Sequence, residues 1–130
     1  MEPYRLNLKV RDYECDMQGI VNNSVYQNYL EHTRHEFLIA KGMNFAEITR
    51  QGINLVVTRA EIDYLKPLAS GDEFYVTARC EKQGRLRFVF QQEVFRQSDG
   101  KKMLSGKITG TSIDRNGRPV RTDLIGAICD

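Results

Sequence analysis

With 130 residues the chain has room for one hydrophobic core and not for two. Hydrophobic residues make up 41% and charged residues 28%, an ordinary globular balance, and no apolar run approaches the ~20 residues a membrane-spanning helix needs. The net charge is +2, and the 19 Lys and Arg are dispersed rather than gathered into a block, so no nucleic-acid partner is expected.

The opening Met1-Glu2-Pro3-Tyr4-Arg5 lacks the apolar stretch of a secretory signal, which predicts a cytoplasmic protein without a membrane span. Cys15, Cys80 and Cys129 are too few and too scattered for a disulfide framework or a metal clamp. They agree with a reducing compartment, and their odd number leaves at least one thiol free. Neither a repeat nor a Ser/Pro-rich linker divides the chain, so residues 1–130 are read as one domain.

In chain order, Leu6, Leu8 and Val10 alternate with Asn7 and Lys9, the period of a half-buried strand. Residues 13–23, with Glu14, Asp16, Gly19, Asn22 and Asn23, read as a loop. Tyr26, Tyr29, Leu30, Thr33, Phe37 and Ala40 then recur at three- and four-residue intervals, predicting a helix from about 24 to 41 that stops at Gly42. Ser24 with Gln27 fits a capping box at its start, and Asn23 is a competing cap. A short helix is expected over Phe45–Gln51. Val56, Thr58, Ala60, Ile62 and Tyr64 follow as one side of a long strand ending at Pro67.

Ser70-Gly71-Asp72 marks a turn into a face of Phe74, Val76, Ala78 and Cys80. Gln83-Gly84 leads to a further face of Leu86, Phe88 and Phe90. Ser98-Asp99-Gly100-Lys101 turns the chain into a last strand through Ile113, and Asn116-Gly117 offers one more turn. Short connections favour antiparallel pairing, and a single long amphipathic helix has one stripe to bury. The expected class is α+β.

Three segments resemble the four-hydroxybenzoyl-CoA thioesterase-like branch of the hotdog superfamily: the run from Val10 to Asn23, the helix from Tyr26 to Leu38, and Ile62-Asp63-Tyr64-Leu65-Lys66-Pro67-Leu68 with Gly71-Asp72. The resemblance implies a curved antiparallel sheet of about five strands wrapped around the long helix. It also implies that the strand after the helix pairs across a dimer interface, with active sites between subunits. A homodimer or homotetramer is therefore expected.

By itself Asp16 reads as a loop residue bonding its own backbone. The resemblance makes it the catalytic carboxylate, as general base or as nucleophile through a mixed anhydride, two routes that remain open. The same resemblance carries the oxyanion donor onto the backbone N–H of Asn23, where a helix start leaves its first amides without intrahelical partners. It places Gly19 in the preceding loop to allow close approach. Many relatives carry His where this chain has Asn22, and Asp where it has Glu14; neither difference removes the base.

Arg85 and Arg87, two apart on an expected strand, share a face and suit the phosphates of coenzyme A, with Arg59, Lys66 and Lys82 as further candidates. The alternative is a solvated sheet face. His32 and His35 lie off the apolar stripe without metal-site spacing, so no metal is assigned. Glu31 and Arg34 suit a weak surface ion pair. Cys15 has no neighbouring His in the sequence to activate it and is not read as a nucleophile.

These residues together predict hydrolysis of an acyl-CoA, or of an acyl group on acyl-carrier protein, without metal or redox cofactor. A non-catalytic acyl-CoA-binding or sensing module is the alternative from a different class. A hotdog dehydratase fits less well, because neither His falls in the loop where such enzymes generally keep one.

Overall fold

The structure, a computed structural model, describes residues 3–121 and 123–129. Its elements are β1 (Tyr4–Lys9), a 3-10 turn (Asp12–Glu14), α1 (Asn23–Ala40), α2 (Phe45–Arg50), β2 (Asn54–Tyr64), β3 (Glu73–Gln83), β4 (Arg87–Arg96), β5 (Lys102–Ile113) and α3 (Asp123–Ile128). All neighbouring strands pair antiparallel in the order β1-β3-β4-β5-β2, so β1 and β2 are the edges.

Alternation in the sequence becomes burial in the sheet. Phe74, Val76, Ala78 and Cys80 of β3 face the core and are buried, as are Phe88, Phe90, Gln92 and Val94 of β4. α1 lays its stripe of Tyr26, Tyr29, Leu30, Thr33, Phe37 and Leu38 across this face. Phe37 meets Tyr4 and Phe90 edge-on, and Tyr29 packs on Phe74. Small residues in β5 make room on both sides: a Cβ on Gly106 would lie 3.3 Å from Leu30 Cδ1 of α1, and one on Gly110 only 2.5 Å from Phe88 Cζ of the neighbouring β4. The expected α+β architecture, one curved sheet around one long helix, is the observed one.

Four local expectations change. The helix cap is Asn22, whose Oδ1 accepts from the Ser24 amide at 3.2 Å, rather than Ser24 or Asn23. The Asn22 amide is itself bound to Glu14 O at 3.0 Å, which holds residue 22 extended and starts the helix at Asn23. In β2, a bulge at Thr58 shifts the register between Val57 and Arg59. One extra residue inverts the pleat, so the inward side is Leu55 and Val57 before the bulge, then Ala60, Ile62 and Tyr64 after it, opposite the inward residues of β5. Leu86 belongs to the turn before β4 and is partly exposed rather than inward.

The fourth change is at the C-terminus, where α3 was not foreseen. It packs on β3 and brings Cys129 beside Cys80 as a disulfide with a Cα–Cα separation of 4.7 Å, leaving Cys15 free. The expectation that the cysteines are too few and too scattered for a disulfide, and so agree with a reducing compartment, is corrected by this pair, while Cys15 is the free thiol their odd number required.

Candidate active site

Past β1 the chain is pinned to the turn before β3: the Val10 amide donates to Asp72 O at 2.9 Å, and the Gly71 amide to Val10 O at 3.1 Å. The 3-10 turn follows, capped by Glu14, whose Oε1 accepts from the Arg11 amide at 2.8 Å. Residues 14–22 then double back as two short arms. Asn22 donates to Glu14 O, Cys15 bridges Val21, and the Asp16 amide donates to Ile20 O at 2.9 Å. Gly19 closes the tip with φ +79° and donates to Asp16 O at 3.0 Å. A Cβ at Gly19 would meet nothing within 4 Å among the protein's own atoms, and within this chain it is the positive φ that calls for glycine.

The exposed Asp16 carboxylate sits at this tip. Its Oδ1 accepts from the Gln18 amide at 2.8 Å, the local bond expected of an Asp in a loop, and that bond fixes the side chain. Among the described residues Oδ2 has no hydrogen-bond partner, so one oxygen orients the group and the other remains available to water. The turn role and a chemical role are compatible in one side chain.

The second arm leads straight into α1. Its first amide, that of Asn23, donates to no group among the described residues, as helix geometry requires, and the helix dipole there favours negative charge. Beside it lies a pocket of about 260 Å³ lined by Ile20, Val21, Asn23, Tyr26, Tyr64 and Lys66, among others. The Tyr26 hydroxyl accepts from the Leu68 amide at 3.0 Å, tying α1 to the segment that follows β2. Burial pushes the Tyr26 phenol above its ordinary range, and burial together with a 2.8 Å hydrogen bond to Glu14 Oε1 does the same to Tyr29. Partial burial and the carboxylates of Asp16 and Glu14 hold the Cys15 thiol up, which suits an inert thiol and not a nucleophile.

The basic candidates do not converge on Asp16. Lys66 alone shares the pocket with Asn23. Arg59 lies at the β2 bulge and pairs with Glu61 at 3.1 Å. Lys82 runs beside α3, with Nζ 3.2 Å from where a Cβ on Gly126 would sit. Arg85 is in the β3–β4 turn and Arg87 opens β4; with Thr58, Gln83, Leu86 and Thr111 they line a shallow depression. That depression is at the far end of β3 from the Asp16 loop, roughly 30 Å away at ~3.3 Å per residue. The expectation that Arg85 and Arg87 share a strand is corrected too, since Arg85 precedes it.

Sequence reasoning missed a polar pair under α1. Arg34 Nη1 donates to Gln92 Oε1 at 3.0 Å, and Gln92 Nε2 donates to Leu30 O at 3.1 Å, so the buried Gln92 accepts one bond and donates the other. Arg34 is thus turned inward toward Gln92 rather than held in a surface salt bridge, and desolvation lowers its pKa against the opposing pull of the Glu31 carboxylate. It borders a cavity of about 480 Å³ between α1, α2 and β2, whose walls include Leu38, Phe45, Leu55 and Phe90. Polar Gln92 at an inward position of β4 was the available signal. His32 and His35 are exposed, and the ring of His35 lies edge-on to Phe45.

A family model described as the thioesterase-like superfamily matches residues 10–125, nearly the whole chain including the Asp16 loop and α1. The chain belongs to the thioesterase-like superfamily. It is 41% identical over 120 residues to the acyl-acyl carrier protein thioesterase ATL3, chloroplastic, of Arabidopsis thaliana, a match covering 92% of this chain and 63% of that one. The chain therefore spans under two thirds of that curated relative. A crystal structure of a hypothetical protein from Aquifex aeolicus superimposes with a TM-score of 0.88 at 30% identity, over 97% of this chain and 99% of the other. The DHNA-CoA thioesterase of Staphylococcus aureus does so with a TM-score of 0.86 at 26% identity, over 95% and 83%. No helix among the described residues of this thioesterase-like chain is long and apolar enough to cross a membrane.

Proposed function

We propose that the protein hydrolyses an acyl thioester, carried on coenzyme A or on acyl-carrier protein, to the free acid and the carrier thiol. One observation carries the reading: the Asp16 carboxylate, oriented by the Gln18 amide, stands on the loop that runs directly into the Asn23 amide, which is unpartnered among the described residues. The Asn23 N–H donates to the thioester oxygen, where negative charge develops. Asp16 Oδ2 takes a proton from water, the water oxygen bonds to the carbonyl carbon, and the carbon–sulfur bond breaks to release thiolate. Alternatively the carboxylate oxygen bonds to the carbonyl carbon, the carbon–sulfur bond breaks to release thiolate, and water attacks the Asp16 carboxyl carbon of the resulting anhydride to release the acid. A single turnover in heavy-oxygen water separates the routes, because only the second labels Asp16.

The names of the relatives support both carriers, the Arabidopsis protein being called an acyl-carrier-protein thioesterase and the Staphylococcus one a CoA thioesterase. An apolar acyl group suits the exposed Tyr13 and Met17 flanking Asp16, and Tyr64 and Leu65 across the pocket.

The assembly we propose is a homo-oligomer built on β2, an edge strand whose Val57 and Tyr64 are half exposed. Two β2 strands paired antiparallel about a twofold axis lay the Arg85–Arg87 end of one subunit near the Asp16 end of the other. In this arrangement the carrier phosphates meet cations in trans, a role that Arg85 and Arg87 do not fill within one chain.

The test is a panel of acyl-CoA and acyl-carrier-protein thioesters of graded chain length, followed by release of free thiol. Turnover on part of the panel is expected. Binding of acyl-CoA without hydrolysis of any thioester would replace the enzyme with the binding-module reading.

A further inference from the structure

Glu14 makes more connections than any other side chain of the loop. It is about nine-tenths buried, with side-chain exposure of 11%. Its Oε1 accepts from the Arg11 amide and from the Tyr29 hydroxyl, both at 2.8 Å, while Oε2 lies 3.6 Å from Arg11 Nη1. Its backbone oxygen accepts from Asn22, the cap of α1, at 3.0 Å. Tyr29 is itself fixed, edge-on to Tyr26 and packed on Phe74 of β3. A continuous set of contacts therefore runs from the sheet through the second turn of α1 to a residue two positions before Asp16. The same residue holds the amide one position before Asn23.

We infer that Glu14 is a positioning residue: through Tyr29 and Asn22 it sets the Asp16 turn at a fixed place relative to the Asn23 amide. The inference rests on the catalytic reading of Asp16 above. Glu14 reaches no reacting atom; it acts by denying the Asp16 tip freedom to swing away from the helix start, and a displacement of about 1 Å costs about 100-fold in rate. Both bonds to its side chain end on one oxygen, so an amide can keep them.

The experiment compares Glu14→Ala, Glu14→Gln and Tyr29→Phe with Asp16→Asn, reading kcat, KM, unfolding midpoint and hydrogen exchange at the Asp16, Gly19 and Asn22 amides. Glu14→Ala is expected to lose about 10- to 100-fold in kcat with KM nearly constant, and to speed exchange at all three amides. Glu14→Gln should recover most of both. Tyr29→Phe, which removes a single oxygen and keeps the packed ring, should lose less than Glu14→Ala, and combining the two should cost no more than Glu14→Ala alone. A folded Glu14→Ala with unchanged kcat overturns the inference. So does a loss that appears in KM or that only tracks the folded fraction, or a Glu14→Gln as impaired as Glu14→Ala. If Glu14→Ala does not fold, unchanged kcat and exchange in Tyr29→Phe overturn it. Retained turnover in Asp16→Asn rejects the catalytic reading instead, and amide exchange then still reports whether Glu14 holds the loop.

Discussion

At Asp16 one side chain holds a structural bond and leaves an oxygen open for the chemical task proposed for it. Its Oδ1 completes the turn by accepting from Gln18, and this anchors the carboxylate at no cost to Oδ2. The tyrosines behind it give a residue-level prediction. Tyr26 and Tyr29 have phenols raised above the ordinary 10.0, first by burial, so the folded chain holds their protons more tightly than the unfolded chain does. The stabilisation is complete below pH 10 and is lost as pH rises from there toward the folded values. The unfolding midpoint should therefore fall steeply above about pH 10, and Tyr29→Phe, having one phenol fewer to ionise, should fall less. Parallel alkaline curves for the two proteins would show that Tyr29 titrates alike in both states.

Among the elements, β2 departs furthest from its neighbours. The strands on the other side of β5 bury their inward rows, whereas β2 leaves much of its apolar row open beside the cavity under α1 and α2. A strand edge with half-exposed Val57 and Tyr64 is the feature that a second copy would cover. Sedimentation is expected to give a dimer or a larger species; monomer at every concentration would remove the basis for pairing through β2. The trans placement of Arg85 and Arg87 has a sharper check. Asp16→Asn subunits mixed by co-refolding with Arg85→Ala/Arg87→Ala subunits should form heterodimers in which one of two sites has every group intact. The mixture should show a component with wild-type KM for acyl-CoA amounting to about a quarter of wild-type turnover, beside the high-KM turnover of the Arg85→Ala/Arg87→Ala homodimers. If the cations served their own subunit, no heterodimer site would combine both, and the low KM would not return.

At the scale of the whole molecule, what the sequence made legible was what periodicity encodes. The alternation in Phe74-Val76-Ala78-Cys80 and the three- and four-residue spacing from Tyr26 to Leu38 placed the sheet and the helix, because each follows from burying one face. The bulge at Thr58 was invisible, since the extra residue is absorbed by pairing with β5 and no local residue type announces it. The inward Arg34 was misread for a similar reason: the buried Gln92 it bonds is 58 positions away. α3 carried too short a pattern to separate from a loop, and Cys80 with Cys129 looked unrelated at a separation of 49 residues. Within the site, the Asp16 loop and Asn23 were found through family resemblance, whereas the Glu14–Tyr29 bond depends on tertiary approach across 15 positions.

The proposed hydrolysis depends on the carboxylate of Asp16, and a single-turnover comparison of the wild type with Asp16→Asn on the best thioester of the panel tests it most directly. The amide preserves shape and keeps an oxygen for the Gln18 bond while removing the base. Turnover is predicted to fall by about 10²- to 10⁴-fold, with acyl-thioester binding and unfolding midpoint nearly unchanged. A folded Asp16→Asn protein that hydrolyses the thioester at the wild-type rate would contradict it.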